Sequence, residues 1–184
     1  MGEREMEAKL NGITVWPGVI GSDRSKTFFG GVIACRKVWE YRKLTGEKLN
    51  VAFRNCPSHT FMIVKHGGDL WIAESVRPKS KLTPFAEYEK KLADRQIRNL
   101  QLFEVHDISR MRQGCAAEWW VDNVRNEDYD VPIFDNSLHH WCTEGVADSY
   151  NFGACYNILD DSFPTPVTPI RKWKEGRLKL LGAP

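Results

Sequence analysis

Several features that mark large classes of protein are missing from this sequence. No apolar run approaches the roughly 20 residues of a membrane-spanning helix, and charged residues fill the N-terminal segment where a signal peptide needs an apolar core. A net charge of +2 provides no strong field for binding nucleic acid. We therefore expect no membrane span, no specific nucleic-acid partner and a cytoplasmic location as synthesised.

The five cysteines include no CxxC pair and no spacing typical of a zinc site. They stand at positions 35, 56, 115, 142 and 155, and an odd, scattered set is typical of reduced thiols rather than of a disulfide framework. We expect no bound metal and no cofactor.

The length of 184 residues suits one domain with a substantial core, so we predict a single domain over residues 1–184. A basic C-terminal arm begins at about residue 171. We expect this arm to be a solvated face rather than a phosphate or nucleic-acid site, because no array of aromatic residues accompanies its charges.

Hydrophobic periodicity predicts an α+β protein in which a small antiparallel sheet packs against helices. Strands are predicted at 13–21, 58–64, 70–76 and 100–106. Helices are predicted at 32–42, from Thr83-Pro84 to about Ile97, from Cys115 to about Asn126, and from about Cys142. The proline-rich segment 163–169 is predicted to be an extended loop.

A hairpin brings His59 and Glu74 to one face of the predicted sheet. If His66-Gly67 forms the turn, the two residues lie directly opposite each other, and if Gly67-Gly68 forms it they are diagonal neighbours. In both registers a carboxylate can orient an imidazole, as the acid does in a catalytic triad. A purely structural ion pair is the commoner explanation for such a pair on its own.

Cys142 is predicted to lie in or near the first turn of a helix. The unpaired N–H groups and the dipole at a helix start favour a negative charge, and a nearby histidine lowers the pKa of a thiol further. On position alone, a small buried and inert cysteine is an equally good interpretation.

Other histidines and cysteines are weaker candidates. His139 and His140 precede Cys142 and are expected to point away from its side chain, where they would line a substrate groove. His66 lies in a predicted turn and His106 in a predicted strand. Cys155 lies too late in its helix to gain from the helix start.

The order of these parts is similar to that of a known family. Ser58-His59 opens the hairpin, Glu74 ends it, Tyr129-Asp130 follows a helix, Cys142-Thr143-Glu144 opens another, and Thr168-Pro169 closes a proline-rich segment. This order resembles that of the permuted NlpC-type papain-like cysteine hydrolases, in the YiiX-like branch, over roughly residues 13–172.

The resemblance implies a circularly permuted papain-like fold in which Cys142 is the nucleophile, His59 the general base and Glu74 the residue that orients the imidazole. It also implies hydrolysis of an amide or ester bond in a peptide, amide or acyl substrate, with peptidoglycan peptides as one candidate. One alternative is an idle structural or binding module, for example in a bacteriophage particle, which is compatible with a virion-associated location. Another alternative is an acyl-lipid amidase or acyltransferase.

Overall fold

A six-stranded antiparallel sheet organises this computed structural model, which describes residues 6–25, 32–128, 142–161 and 164–182. Its strand order is β6-β5-β4-β3-β7-β8, and β1 and β2 form a separate two-stranded ribbon. Together with the helices on the sheet, this arrangement confirms the predicted α+β class.

Groups of strands and groups of helices follow one another along the described part of the chain. The strands are β1 (Ala8–Leu10), β2 (Ile13–Val15), β3 (Ile20–Ser25), β4 (His59–His66), β5 (Asp69–Glu74), β6 (Lys81–Pro84), β7 (Ile97–Glu104) and β8 (Lys179–Gly182). The helices are α1 (Val32–Thr45), α2 (Leu49–Asn55), α3 (Phe85–Ala93), α4 (Arg110–Asn123), α5 (Cys142–Asp148) and α6 (Thr168–Lys174). A π-helical turn, Ser149–Gly153, continues α5. Among these described helices, none combines the length and the apolar character needed to cross a membrane.

The hairpin of β4 and β5 adopts the second of the two predicted registers. His66 pairs with Asp69 and Val64 with Trp71, so Gly67 and Gly68 form the turn. Both glycines have positive φ, 61° and 90°, which glycine adopts without steric cost. His59 and Glu74 are therefore diagonal neighbours at the end of the hairpin that lies farthest from this turn.

Alternation along β4 and β5 buries both faces of the sheet. Phe61, Ile63, Leu70 and Ile72 share one face and pack with Tyr88 of α3 and with the β1–β2 ribbon. The intervening residues face the other side, where they join a second cluster that includes residues of α4, α5 and α6, among them Met62, Val64, Ala73, Ala116, Trp120, Val146 and Ile170. The hairpin of β4 and β5 is thereby enclosed between two apolar layers.

The helix predicted from Thr83 begins later and ends earlier than expected. Thr83 pairs with Ile72 as a residue of β6, and α3 covers only Phe85–Ala93. Arg95 has φ of 55°, so the chain turns after α3, and Ile97 already belongs to β7. Pairing with the neighbouring strand outweighed the local preference for a helix start.

The helix predicted from Cys115 begins five residues earlier in the chain, at Arg110. The side chain of Ser109 accepts a hydrogen bond from the backbone N–H of Arg112 and so caps the first turn. The helix ends at Asn123, close to the predicted end. The cap identifies a helix start that apolar periodicity alone missed.

The last two residues of the segment 163–169, which was predicted to be a loop, belong to α6. Pro169 does not prevent this helix, because it occupies the first turn, where proline is tolerated. The basic residues that follow are not all solvated. Lys172 is buried and forms ion pairs with Asp160 and Glu175. Residues 179–182 form β8, which pairs with β7. Ion pairing with nearby carboxylates allows this cation to be buried.

Gly21 leaves the space that the ring of Phe61 occupies on the facing strand. A Cβ at position 21 would lie 1.9 Å from the nearest ring carbon. We therefore expect Gly21→Ala to lower the free energy of unfolding by roughly 1–3 kcal/mol, measured by urea denaturation. Gly114→Ala in α4 meets no atom within 4 Å and should raise it by roughly 0.5–1 kcal/mol. Equal responses of the two variants would contradict this account of Gly21.

Candidate active site

His59 and Glu74 meet at the end of the hairpin. His59 is the first residue of β4, Glu74 is the last residue of β5, and Nε2 of His59 lies 3.2 Å from Oε2 of Glu74. The two residues are only 8% and 5% exposed. A buried imidazole and a buried carboxylate in contact form an ion pair that water screens weakly.

Glu74 is held on its other side by β6. The hydroxyl of Thr83 donates a hydrogen bond of 2.5 Å to Oε1 of Glu74. Burial alone would raise the pKa of Glu74, but the contact with His59, the positive charge of His59 and the bond from Thr83 lower it to about 2. Glu74 is therefore ionised at neutral pH.

Cys142 begins α5 and lies against the same strand as His59. Its sulfur is 3.8 Å from the hydroxyl of Thr143, and that hydroxyl donates a 3.1 Å hydrogen bond to the hydroxyl of Thr60 on β4. Thr143 and Thr60 are fully buried. The bond between these two threonines fixes the start of α5 beside the strand that carries His59.

The pKa shifts of Cys142 and His59 are opposite in sign. Burial would raise the pKa of the Cys142 thiol, but the contact with His59, its charge, and bonds from the Thr60 backbone and Thr143 lower it overall. Burial would lower the pKa of His59, but Cys142, Glu74 and the charge of Asp23 raise it well above its usual value. These directions favour a thiolate next to an imidazolium.

Asp23 is a member of this cluster that the sequence interpretation did not assign a role. It lies on β3 directly opposite His59, and the hydroxyl of Tyr88 donates a 2.5 Å hydrogen bond to its Oδ2. Oδ1 is buried with no hydrogen-bond partner among the described residues. Burial raises the pKa of Asp23 to about 6, although His59 and Tyr88 act against this rise. In the sequence, Asp23 could have been recognised from the polar pair Ser22-Asp23, which follows the apolar strand start Val19-Ile20.

The remaining cysteines have different environments. Cys56 is buried, and burial raises its pKa to about 12, so it is a neutral thiol at physiological pH. Cys115 and Cys155 are exposed. Of the two buried cysteines, Cys56 thus has a raised pKa and Cys142 a lowered one.

The other candidate residues divide into two groups. His66 contacts Arg125 at the hairpin turn and His106 contacts Asp107 after β7, so neither belongs to the cluster at the far end of the hairpin. Thr168-Pro169 begins α6. Four further residues that the sequence singled out lie outside the described part of the chain: Tyr129, Asp130, His139 and His140.

Comparison with known proteins reveals a shared fold. No family model and no curated protein matches the sequence. Among solved structures, the chain is similar to the metalloprotein yiiX from Escherichia coli O157:H7 (DUF1105), with a TM-score of 0.57 and 14% identity over 91% of this chain and 97% of that one. In the ranges that our structure describes, no group of three or more His, Cys, Asp or Glu side chains is placed to hold a metal. The similarity therefore supports the fold alone.

The raised pKa of Asp23 predicts a specific pH dependence of stability. The folded value of about 6 exceeds the ordinary value of 3.8, so the contribution of Asp23 is complete below pH 3.8 and is lost as pH rises through 6. Asp23→Asn should remove a fall of up to about 1.4 kcal/mol per pH unit in the free energy of unfolding across this window, measured by urea denaturation.

Asp69→Asn is the matched control for this prediction, because it removes a carboxylate that is exposed at the hairpin turn. It should leave the pH profile of the wild-type protein in place. If Asp23→Asn and Asp69→Asn give the same profile, the shift assigned to Asp23 is wrong.

Proposed function

We propose that this protein is a cysteine hydrolase that cleaves an amide or ester bond, with Cys142 as nucleophile, His59 as acid and base, and Glu74 as the residue that orients the imidazole. One observation carries the proposal: a buried cysteine with a lowered pKa contacts a histidine with a raised pKa, and a buried carboxylate lies behind that histidine. Perturbed groups that contact each other in this order are typical of nucleophilic catalysis.

The reaction begins with attack of the Cys142 thiolate on the carbonyl carbon of the substrate, which forms a carbon–sulfur bond. The His59 imidazolium gives its proton to the leaving nitrogen or oxygen as the scissile bond breaks, and a thioester remains. Neutral His59 then takes a proton from water, which attacks the thioester carbon. The carbon–sulfur bond breaks, and the thiolate, the imidazolium and a carboxylic acid product result.

Glu74 and Asp23 act through His59. Glu74 keeps its negative charge and fixes the orientation of the imidazole, and the Thr83 hydroxyl fixes Glu74. Asp23 adds a second negative charge that stabilises the imidazolium. The two carboxylates are positioning residues, because Glu74 contacts the base and Asp23 acts on it through its charge.

The order of histidine before cysteine, together with a fold similar to that of yiiX, supports a permuted papain-like hydrolase. Within that class we propose peptide or amide substrates, with peptidoglycan peptides as a first set to test. The absence of turnover on every amide, ester and acyl substrate tried would favour an idle structural module.

The thiolate can be tested directly by alkylation with iodoacetamide and peptide mass spectrometry. We expect the alkylation rate of Cys142 to depend less steeply on pH in the wild-type protein than in His59→Ala, because His59 lowers the pKa of this thiol. His59→Ala should slow alkylation at pH 6 by about tenfold or more and make the rate rise with pH.

The exposed thiol of Cys115 in the same molecule is the internal reference for this experiment. If Cys142 reacts no faster than Cys115 at pH 6 and His59→Ala leaves its rate unchanged, the enzyme proposal fails. If Cys142 reacts faster than Cys115 in the wild-type protein but not in His59→Ala, the proposal is supported.

Turnover should depend on Cys142 and on Glu74 to different degrees. On ester and amide reporters, Cys142→Ala should abolish hydrolysis, and Glu74→Gln should lower kcat roughly 100-fold or more, because the imidazole loses its orientation and its stabilising charge. His66→Ala removes a histidine at the opposite end of the hairpin and should retain wild-type kcat. A Glu74→Gln variant that is as active as His66→Ala would remove Glu74 from the mechanism.

A further inference from the structure

A small basic cavity is lined in part by residues of β3, the strand that carries Asp23. It has a volume of about 270 Å³ and is formed where the ends of β3 and β7 meet α2. Its lining residues are Arg24, Ser25, Phe53, Arg54, Gln96 and Arg98. Half of these residues carry a guanidinium group, and the sequence interpretation assigned no role to any of them.

Two of the arginines face each other across the sheet. Arg24 of β3 is the direct partner of Arg98 of β7 in the antiparallel register, and Arg54 adds a third cation from α2. An anion between the guanidinium groups of Arg24 and Arg98 would be attracted by both of them.

Short contacts connect the cavity to the start of β4, the strand that begins with His59. The hydroxyls of Ser25 and Ser58 lie 3.1 Å apart, the backbone N–H of Ser25 donates to the Ser58 hydroxyl, and Ser58 directly precedes His59. Arg24 follows Asp23, the residue that lies opposite His59. A group bound in the cavity would therefore lie within a few residues of the base.

Two cations act on the buried thiol of Cys56. Burial raises the pKa of this thiol, and the charges of Arg24 in the cavity and of Lys37 on α1 act against that rise. Arg24 therefore contributes positive potential near Cys56, three residues before His59 in the chain, where it would attract an anion.

We propose that this cavity binds an oxyanion group, a carboxylate or a phosphate, and that the hydrolase prefers substrates carrying such a group near the scissile bond. The preference rests on the proposed function, whereas the binding of the anion does not. Guanidinium groups bind both kinds of oxyanion through paired hydrogen bonds. The ring of Phe53 supplies an apolar wall for the adjoining part of the ligand.

Binding can be measured without turnover in the Cys142→Ala protein by isothermal titration calorimetry. The probes are N-acetyl-dialanine, its C-terminal amide, and phenyl phosphate. We expect one or both anions to bind more tightly than the amide, and binding to weaken as salt is added. The relative affinities of the carboxylate and the phosphate identify which oxyanion the cavity takes.

Two exposed arginines provide variants that should fold. Arg98→Ala and Arg54→Ala should each weaken anion binding about tenfold, because each removes charge-assisted hydrogen bonds. Lys65→Ala removes one exposed positive charge at the turn end of β4 and should leave affinity unchanged. Absence of saturable anion binding, or equal weakening by Lys65→Ala and Arg98→Ala, would overturn the proposal.

Turnover separates this proposal from the proposed function. In the active protein, Arg98→Ala should lower kcat/KM about tenfold more for an ester reporter that bears a carboxylate than for its uncharged analogue, and Lys65→Ala should lower neither value. Anion binding without any hydrolysis would support the cavity and refute the hydrolase. Hydrolysis with equal kcat/KM for both reporters, and no anion binding, would refute the cavity alone.

Discussion

The charged contact between Cys142, His59 and Glu74 is the interaction on which the rest of the site depends. Each of these groups is almost fully buried, and a lone charge in such a place would be neutralised by a shift in its pKa. Together they stabilise one another's charged forms, because Cys142 and Glu74 raise the pKa of His59 and His59 lowers the pKa of both. Thr83, Thr60 and Thr143 provide hydrogen bonds that keep these charges in position.

The sheet supplies this contact with a dry and rigid setting. Apolar residues cover both of its faces, so little water reaches the end of the hairpin to screen the charges. The same setting disfavours the charged form of Asp23, and burial raises the pKa of this carboxyl to about 6. The arginine cavity, by contrast, is lined by exposed residues, among them Arg54 and Arg98.

Much of this arrangement is predictable from sequence because its signals are local. Alternation in β4 and β5 and a two-residue glycine turn place His59 and Glu74 on one face, and periodicity places Cys142 at a helix start. Asp23 and the opposed arginines were not predictable, since their roles depend on the pairing of β3 with β4 and β7, strands distant in sequence. Strand pairing also overrode the helix signal at Thr83.

The Gly67-Gly68 turn has a consequence at a distance. It lies six or more residues along each strand from His59 and Glu74, roughly 20 Å at the usual rise of a strand, yet its length sets which residues of β4 and β5 are partners. Deleting one glycine would shift the register by one residue. Glu74 would then lie on the face of the sheet that does not carry His59. Insertions and deletions in this exposed loop are therefore constrained by the acid–base pair, although the loop touches neither residue of that pair.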